Sequence, residues 1–280
     1  MSAPLTGKTR VCAVWGHPVS HSRSPAMQNA AIQALGLDWV YVPFDVAPEN
    51  LAQAVAGARA MGLAGVNCTV PLKEQVGAFL DGLDPEAAAI GSVNTLAPSA
   101  DGRLIGHSTD GPGLVWDLER QGMNPDGKRA LVWGAGGSAR AVAYALARRG
   151  CAVTLANRTR ARAEAVAALA GGGAVGLDGD DYAAALAEAE LLINTTTLGM
   201  GAEAGMPPLP EGLPRADQMV YDLVYAPPVT PLLARAQAAG CRCANGLGML
   251  VCQGALSLAL WTGRPASEMP IAAMEAALGL

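Results

Sequence analysis

Two kinds of residue pattern in this 280-residue chain could do chemistry. The first is a glycine-rich turn: Leu131-Val132-Trp133 runs into Gly134-Ala135-Gly136-Gly137-Ser138-Ala139 and then into a helical stretch. This is G-x-G-x-x-A in a strand–turn–helix context. Its glycines permit a tight turn and let backbone amides approach a pyrophosphate at the helix N-terminus. About twenty residues on, a site for NAD would place Asp or Glu against the ribose 2′-hydroxyl. Here stand Asn157-Arg158-Thr159, with Arg160 and Arg162 close behind. A carboxylate repels a 2′-phosphate, whereas a guanidinium binds it through charge-assisted, bidentate contacts, so Arg158 points to NADP. Arg160 reads better as part of a solvated helix start.

The second pattern is a set of polar segments beside apolar runs. They are His21-Ser22-Arg23-Ser24-Pro25, Asn67-Cys68-Thr69-Val70-Pro71-Leu72-Lys73, Gly91-Ser92-Val93-Asn94-Thr95, Ser108-Thr109-Asp110-Gly111, and Asn245-Gly246-Leu247-Gly248-Met249 through Gln253. Four of them follow predicted strands, where open α/β sheets gather ligand groups.

The elements that must position these groups alternate. Val11–Trp15, Trp39–Phe44, Gly65–Thr69, Val93–Leu96 and Leu104–His107 read as strands. Between them, Ser24 reads as the N-cap of a helix with Pro25 at its first position, Pro48-Glu49 starts a helix that Gly62 ends, and Pro71 opens the helix carrying Lys73. From about 128 to 243 the alternation is more regular. Strands at Ala130–Trp133, Ala152–Ala156, Leu191–Asn194 and Met219–Leu223 are joined by helices at Gly137–Arg149, Thr159–Ala170 and Pro231–Ala239, with Gly171–Gly173 a plain loop and 199–214 a long one. Such order predicts a largely parallel α/β sheet.

Composition excludes several classes. Apolar residues are 51 % and charged residues 15 %, enough for real cores. A net charge of −5 and a pI near 5.2 leave no electrostatic footprint for nucleic acid or an anionic membrane. Cys243 to Gly263 carries no charge, but Asn245, Gln253, Ser257 and four glycines make it too polar to span a bilayer; it reads as a buried helix. The six cysteines read as free thiols of a cytoplasmic protein: Cys241 and Cys243 alone are close, and no metal set is completed by histidines. No signal peptide is expected at the N-terminus.

The polar segments, taken in order, are S-x-S-P, N-x-T-x-P-x-K, V-N-T, T-D-G, G-A-G-G, N-R-T and G-L-G-M-L with a downstream Gln. This ordered set resembles the shikimate dehydrogenase family over nearly the whole chain. The resemblance implies two α/β domains: a split substrate-binding and catalytic domain at 1–112 completed by 246–280, and a Rossmann-type NADP-binding domain with a parallel sheet at 113–245. It implies NADP-dependent reduction of 3-dehydroshikimate to shikimate, a step of aromatic amino acid and chorismate biosynthesis, by a cytoplasmic monomer or homodimer. Lys73 and Asp110 would be the catalytic pair, an ammonium stabilising the developing alkoxide and delivering a proton. Ser22 and Ser24 would take the substrate carboxylate, and Thr69, Asn94, Tyr225 and Gln253 the ring hydroxyls or the carboxylate. Gly134, Ala135, Gly136, Gly137, Ser138, Asn157, Arg158, Thr159 and Arg162 would hold the nucleotide, with Leu223 and Gly246 beside the nicotinamide and Met249 near it.

One position departs from the family: Ser108 stands where Asn is usual before Thr-Asp, so the loop placing Asp110 is expected to be held differently. A quinate/shikimate or aminoshikimate dehydrogenase with relaxed cofactor use shares most of these motifs. A non-catalytic NADPH-binding regulatory module on the same fold would be expected to lack Lys73 or Asp110, and both are present. His17, His21 and His107 receive no role.

Overall fold

Short runs of Val, Leu and Ala become strands and the alanine-rich stretches between them helices, in a computed structural model that describes residues 5–201 and 205–280. Residues 202–204 of the long loop at 199–214 lie outside the described residues. The chain divides into two units, Met1–Gly113 with Leu250–Leu280, and Leu114–Met249. The division falls inside helix α4 (Asp110–Arg120) and inside helix α9 (Leu247–Thr262).

The first unit holds β1 (Arg10–Gly16), β2 (Trp39–Asp45), β3 (Gly65–Cys68), β4 (Gly82–Leu83), β5 (Thr95–Pro98) and β6 (Leu104–His107) in the order β2-β1-β3-β5-β6-β4. It is a mixed sheet, with three of its five strand pairings parallel, where the alternation suggests a largely parallel one. β1 runs parallel to β2 and β3, but β5 is antiparallel to both β3 and β6. The cause is local: Ser99 to Gly102 closes a tight hairpin, with Ser99 N–H donating to Arg103 O at 2.8 Å, and a hairpin can only join antiparallel strands. Helices α1 (Ser24–Ala34), α2 (Leu51–Met61), α3 (Pro85–Ile90) and α10 (Ile271–Leu278) complete the unit.

Two local expectations need correction. Arg23, not Ser24, is the N-cap of α1; Ser24 is already helical and its hydroxyl caps nothing. Lys73 sits on a single 3-10 turn, Leu72–Glu74, rather than an α-helix. Val93 N–H takes the Lys73 carbonyl at 2.8 Å, removing the acceptor that a continuing α-helix would need.

The second unit is parallel throughout. β7 (Arg129–Trp133), β8 (Ala152–Ala156), β9 (Gly173–Val175), β10 (Leu191–Asn194), β11 (Met219–Asp222) and β12 (Arg242–Asn245) lie in the order β12-β11-β10-β7-β8-β9. That is the doubly wound dinucleotide-binding order, with the strand sequence reversing beside β7. Helices α5 (Gly137–Arg148), α6 (Arg160–Ala170), α7 (Gly179–Glu188) and α8 (Pro231–Ala238) connect the strands. Both faces are buried: along β7, Leu131 and Trp133 enter one core while Ala130 and Val132 enter the other. The glycine run is more than a loop, since Gly171 ends α6 at φ +59° and Gly173 begins β9. An edge strand of Gly-Ala-Val carries too little apolar alternation to announce itself. The uncharged stretch from Cys243 splits into the end of β12 and the 16-residue α9; no helix among the described residues is long and apolar enough to cross a membrane.

Candidate active site

In the first unit, β3 and β6 flank β5 and both oppose it, so they run the same way and end at the same edge of the sheet. Lys73 follows β3, Asp110 follows β6 as the first residue of α4, and Asn94 immediately precedes β5 at that same edge. The topology therefore gathers three segments far apart in sequence. Lys73 Nζ donates to Asp110 Oδ2 at 2.6 Å, with the two side chains 15 % and 6 % exposed. Asp110 Oδ1 accepts from Asn94 Nδ2 at 2.8 Å. A carboxylate with a charged donor on one oxygen and an amide on the other has its orientation fixed, and it fixes the ammonium in turn.

Asn94 is itself held on every side. Its Oδ1 accepts from Thr109 N at 2.8 Å and Thr95 Oγ1 at 3.0 Å, and its Nδ2 also approaches Thr109 Oγ1 at 2.9 Å and Gln253 Oε1 at 3.2 Å. Gln253, on α9, donates to Leu250 O at 2.8 Å. The first unit also contains Ser22, half-buried, and Ser24, buried, with Ser24 N–H donating to Ser22 Oγ at 3.3 Å. Thr69 is half-buried, and its N–H donates to Trp15 O at 2.8 Å. Gly16 makes room for it, since a Cβ there would lie 2.5 Å from the Thr69 methyl. Ser108 is buried, and it is the next residue, Thr109, that ties this loop to Asn94.

The histidines are occupied elsewhere: His17 Nδ1 pairs with Asp45 at 2.6 Å and His107 Nδ1 with Asp84 at 2.7 Å, while His21 is exposed. Burial pushes the Cys68 thiol up to about 12 against the pull of Lys73, so it is no nucleophile at neutral pH. Among the described residues no three His, Cys, Asp or Glu side chains gather where a metal could be held.

In the second unit, the turn after β7 is tight and has no room for a side chain at its first glycine. Gly134 sits at φ +111°, and a Cβ there would lie 2.5 Å from Thr195 Oγ1, so only glycine fits. Gly136 is the N-cap of α5 and makes no side-chain cap; Gly137 and Ser138 open the helix, with Ala135 between the two turn glycines. A cavity of about 340 Å³ adjoins the turn, lined by Gly134, Asn157, Arg158, Thr159, Arg162 and Thr196, among others. Arg160 is drawn instead into an ion pair with Glu164 at 3.1 Å, as its place at the start of the helix suggests. Arg162 Nη2 lies 3.5 Å from Ala135 O, within the glycine turn itself. Leu223 and Gly246 touch, since a Cβ on Gly246 would run into the Leu223 carbonyl. Met249 N–H donates to Tyr221 Oη at 3.2 Å, and Tyr225 lies half-buried two residues after Leu223.

Several residues of these sites carried no role in the sequence. Asn67, Thr95, Thr109 and Ser257 form the polar floor beneath Asn94, and Asp222 anchors the loops after β10 and β11 by accepting from Asn194 Nδ2, Val224 N and Thr230 Oγ1 at 2.9, 3.0 and 2.6 Å. Asn67 and Thr109 stand inside quoted motifs; for Ser257 the only signal is a polar residue one helical turn beyond Gln253 in an otherwise apolar helix.

Family models for the shikimate dehydrogenase substrate binding domain, for shikimate / quinate 5-dehydrogenase and for the shikimate 5′-dehydrogenase C-terminal domain match residues 14–96, 118–199 and 246–278. The shikimate dehydrogenase (NADP(+)) of Geobacter metallireducens is 50 % identical over 274 residues, 92 % of this chain and 93 % of its own. The chain belongs to the shikimate dehydrogenase family. The Moorella thermoacetica family member, also a shikimate dehydrogenase (NADP(+)), is 48 % identical over 98 % of this chain and 94 % of its own. Among solved family structures, Thermus thermophilus shikimate 5-dehydrogenase in complex with NADP(H) and shikimate superposes with a TM-score of 0.87 at 42 % identity, covering 96 % of this chain and 98 % of that one. The two sheets described above, one mixed and one parallel, are those of the family's fold.

Proposed function

We propose that this chain is a cytoplasmic NADP-dependent shikimate dehydrogenase, monomeric or homodimeric, that reversibly reduces 3-dehydroshikimate to shikimate in the shikimate pathway. The observation that carries the chemistry is the shielded 2.6 Å pair of Lys73 and Asp110, oriented by Asn94. The second unit fits the cofactor through three features: a left-handed glycine with no space for a Cβ, a helix N-terminus without a side-chain cap, and Arg158 beside the adjoining cavity. Bound NADPH supplies the hydride.

The chain's own residues do the rest. Lys73 sits where a carbonyl oxygen gains negative charge; its ammonium stabilises that charge and passes a proton from Nζ to the oxygen. Asp110 holds the ammonium in place through the 2.6 Å contact; in the reverse direction Lys73 Nζ accepts the hydroxyl proton. Ser22 and Ser24 bind the substrate carboxylate through hydroxyl donors, where an overall acidic protein gives no long-range help. Thr69 and Gln253 serve ring hydroxyls, which both donate and accept, or the carboxylate. Asn94 can join them only by exchanging one of its present partners, so its main task is to orient Asp110. NADPH absorbance during incubation with 3-dehydroshikimate tests the reaction. Lys73→Ala should lower kcat by roughly 10²–10⁴ while changing substrate affinity far less, as expected for a lost acid–base group. Near-native turnover of that variant would remove Lys73 from the chemistry.

A further inference from the structure

Beneath the Lys73–Asp110 pair lies a continuous set of buried polar side chains. Tyr41, Asn67, Thr95, Thr109 and Ser257 are from 0 % to 7 % exposed. Tyr41 Oη donates to Asn67 Oδ1 at 2.8 Å. Asn67 Nδ2 faces Ser257 Oγ at 2.9 Å, Thr95 Oγ1 at 3.1 Å and the Asn94 carbonyl at 3.1 Å. Ser257 Oγ donates to Gln253 O at 3.0 Å and stands 2.8 Å from Thr95 Oγ1 and 3.2 Å from Thr109 Oγ1. Both threonine hydroxyls reach Asn94 Oδ1, at 3.0 and 3.2 Å.

A carboxamide can face either way, and its neighbours decide which. Here each end of the chain meets a group that cannot change role. The Asn94 carbonyl only accepts, so Asn67 must turn its NH₂ inward. The Thr109 amide only donates, so Asn94 must turn its oxygen toward it. Between these anchors, the second Asn67 N–H is shared by Ser257 Oγ and Thr95 Oγ1, and Ser257 gives its own proton to Gln253 O, which leaves the Thr95 hydroxyl proton free for Asn94 Oδ1. Asn94 Nδ2 is then left to face Asp110.

We propose that Asn67, seated by Tyr41, is a positioning residue for the Lys73–Asp110 pair: together with the Thr109 amide, its own amide fixes the direction of a buried hydrogen-bond relay through Thr95 that holds Asn94 with an N–H toward Asp110. Ser257 braces that relay, accepting from Asn67 and giving its one proton to Gln253 O. The inference rests on the catalytic reading of Lys73 and Asp110 given above. Ser24 lies within reach of the same Tyr41 hydroxyl, so the relay begins beside the serine assigned to the substrate carboxylate.

The test is steady-state turnover of 3-dehydroshikimate and NADPH by Asn67→Leu and Ser257→Ala, each also made in an Asp110→Asn background. Misplacing a catalytic group by about 1 Å costs on the order of 10²-fold, so kcat should fall roughly 10- to 100-fold with KM for NADPH unchanged. In the Asp110→Asn background the same changes should cost under about twofold, because groups acting as a unit are not additive. Ser257→Ala removes one hydroxyl and keeps the readout if Asn67→Leu does not fold. Trp261→Phe removes a buried donor to Leu96 O in the same sheet, so it should lower Tm yet leave kcat within about twofold. An unchanged kcat in Asn67→Leu or Ser257→Ala, or an equal loss in both backgrounds, overturns the relay. Should Lys73→Ala and Asp110→Asn themselves turn over normally, it is the catalytic reading that falls; should they be impaired while the relay variants are not, only the relay does.

Discussion

Cofactor choice gives the sharpest quantitative test, because one charge separates the two dinucleotides. Replacing Arg158 with Ala should weaken NADP and leave NAD nearly untouched. Of the three arginines after β8, Arg160 is paired with Glu164 and Arg162 leans on the Ala135 carbonyl, whereas Arg158 makes no hydrogen bond or ion pair among the described residues. A charge-assisted contact to a phosphate contributes about 1.5–3 kcal/mol, roughly a tenfold to hundredfold change in affinity. Arg158 is exposed, so solvent screening puts the expected loss near the lower bound, about tenfold in kcat/KM for NADP at physiological salt. Asp178, Asp180 and Asp181 line a second cavity that shares Arg158, so without that guanidinium a 2′-phosphate would face three carboxylates against Arg160, itself paired with Glu164, pulling the loss upward at low salt. The assay is kcat/KM for both cofactors at two ionic strengths. NADP should lose more than NAD, and the gap should narrow as salt is added to the wild type. Equal losses for the two cofactors would show that Arg158 only shapes the loop. Arg162→Ala should instead weaken both, because its partner is in the pyrophosphate turn.

Gly246→Ala should destabilise the protein by about 1–3 kcal/mol, the usual cost of overpacking, because its Cβ would meet the backbone carbonyl of Leu223, which cannot rotate away. A Tm within a degree of wild type in thermal unfolding would contradict that close approach. Ser22→Ala with Ser24→Ala should raise KM for 3-dehydroshikimate at least roughly tenfold without altering NADPH binding, since each hydrogen bond to a charged group contributes about 1.5–3 kcal/mol; an equal loss of NADPH affinity would assign the loop to folding. Burial pushes Cys12 and Cys68 up to about 12, so at pH 8 only about one thiol in ten thousand is ionised. A disulfide reagent should therefore leave both unmodified in the folded protein at pH 8 and titrate all six thiols after denaturation; rapid native labelling of either would mean that the site opens.

The second unit was legible in the sequence because parallel strands buried on both faces are short apolar runs, and Ala130–Trp133, Leu191–Asn194 and Met219–Asp222 are just that. β9 and β12 escaped because edge strands need less apolar surface: Gly-Ala-Val and Arg-Cys-Ala-Asn have no period to detect. Helix α7 escaped for a different reason. Its first turn is Gly-Asp-Asp, and only Tyr182 and Leu186, four residues apart, are buried on its inner face. In the first unit, strand positions were readable but strand direction was not, because direction follows from the length of the connection between β5 and β6 rather than from either strand's composition.

The proposed catalytic pair shows where local reading stops. Lys73 on a one-turn 3-10 segment and Asp110 at a helix start are 37 positions apart, and nothing near either predicts a 2.6 Å contact. The contact exists because two antiparallel steps in the sheet return β6 to the direction of β3, so that the segments leaving both strands emerge together. The same argument explains why the contacts of the polar floor were invisible, although Asn67, Thr95 and Thr109 stand in conspicuous polar segments. Asn67 occupies a strand position that alternation would fill with Val or Ile, and Ser257 a helix position that burial would fill with Leu. A sheet and a helix each tolerate a buried polar group only where another element supplies its partner. Here Asn67 and Ser257 supply each other at 2.9 Å across 190 residues, which is why neither could be read alone and why removing either should be felt at Asp110.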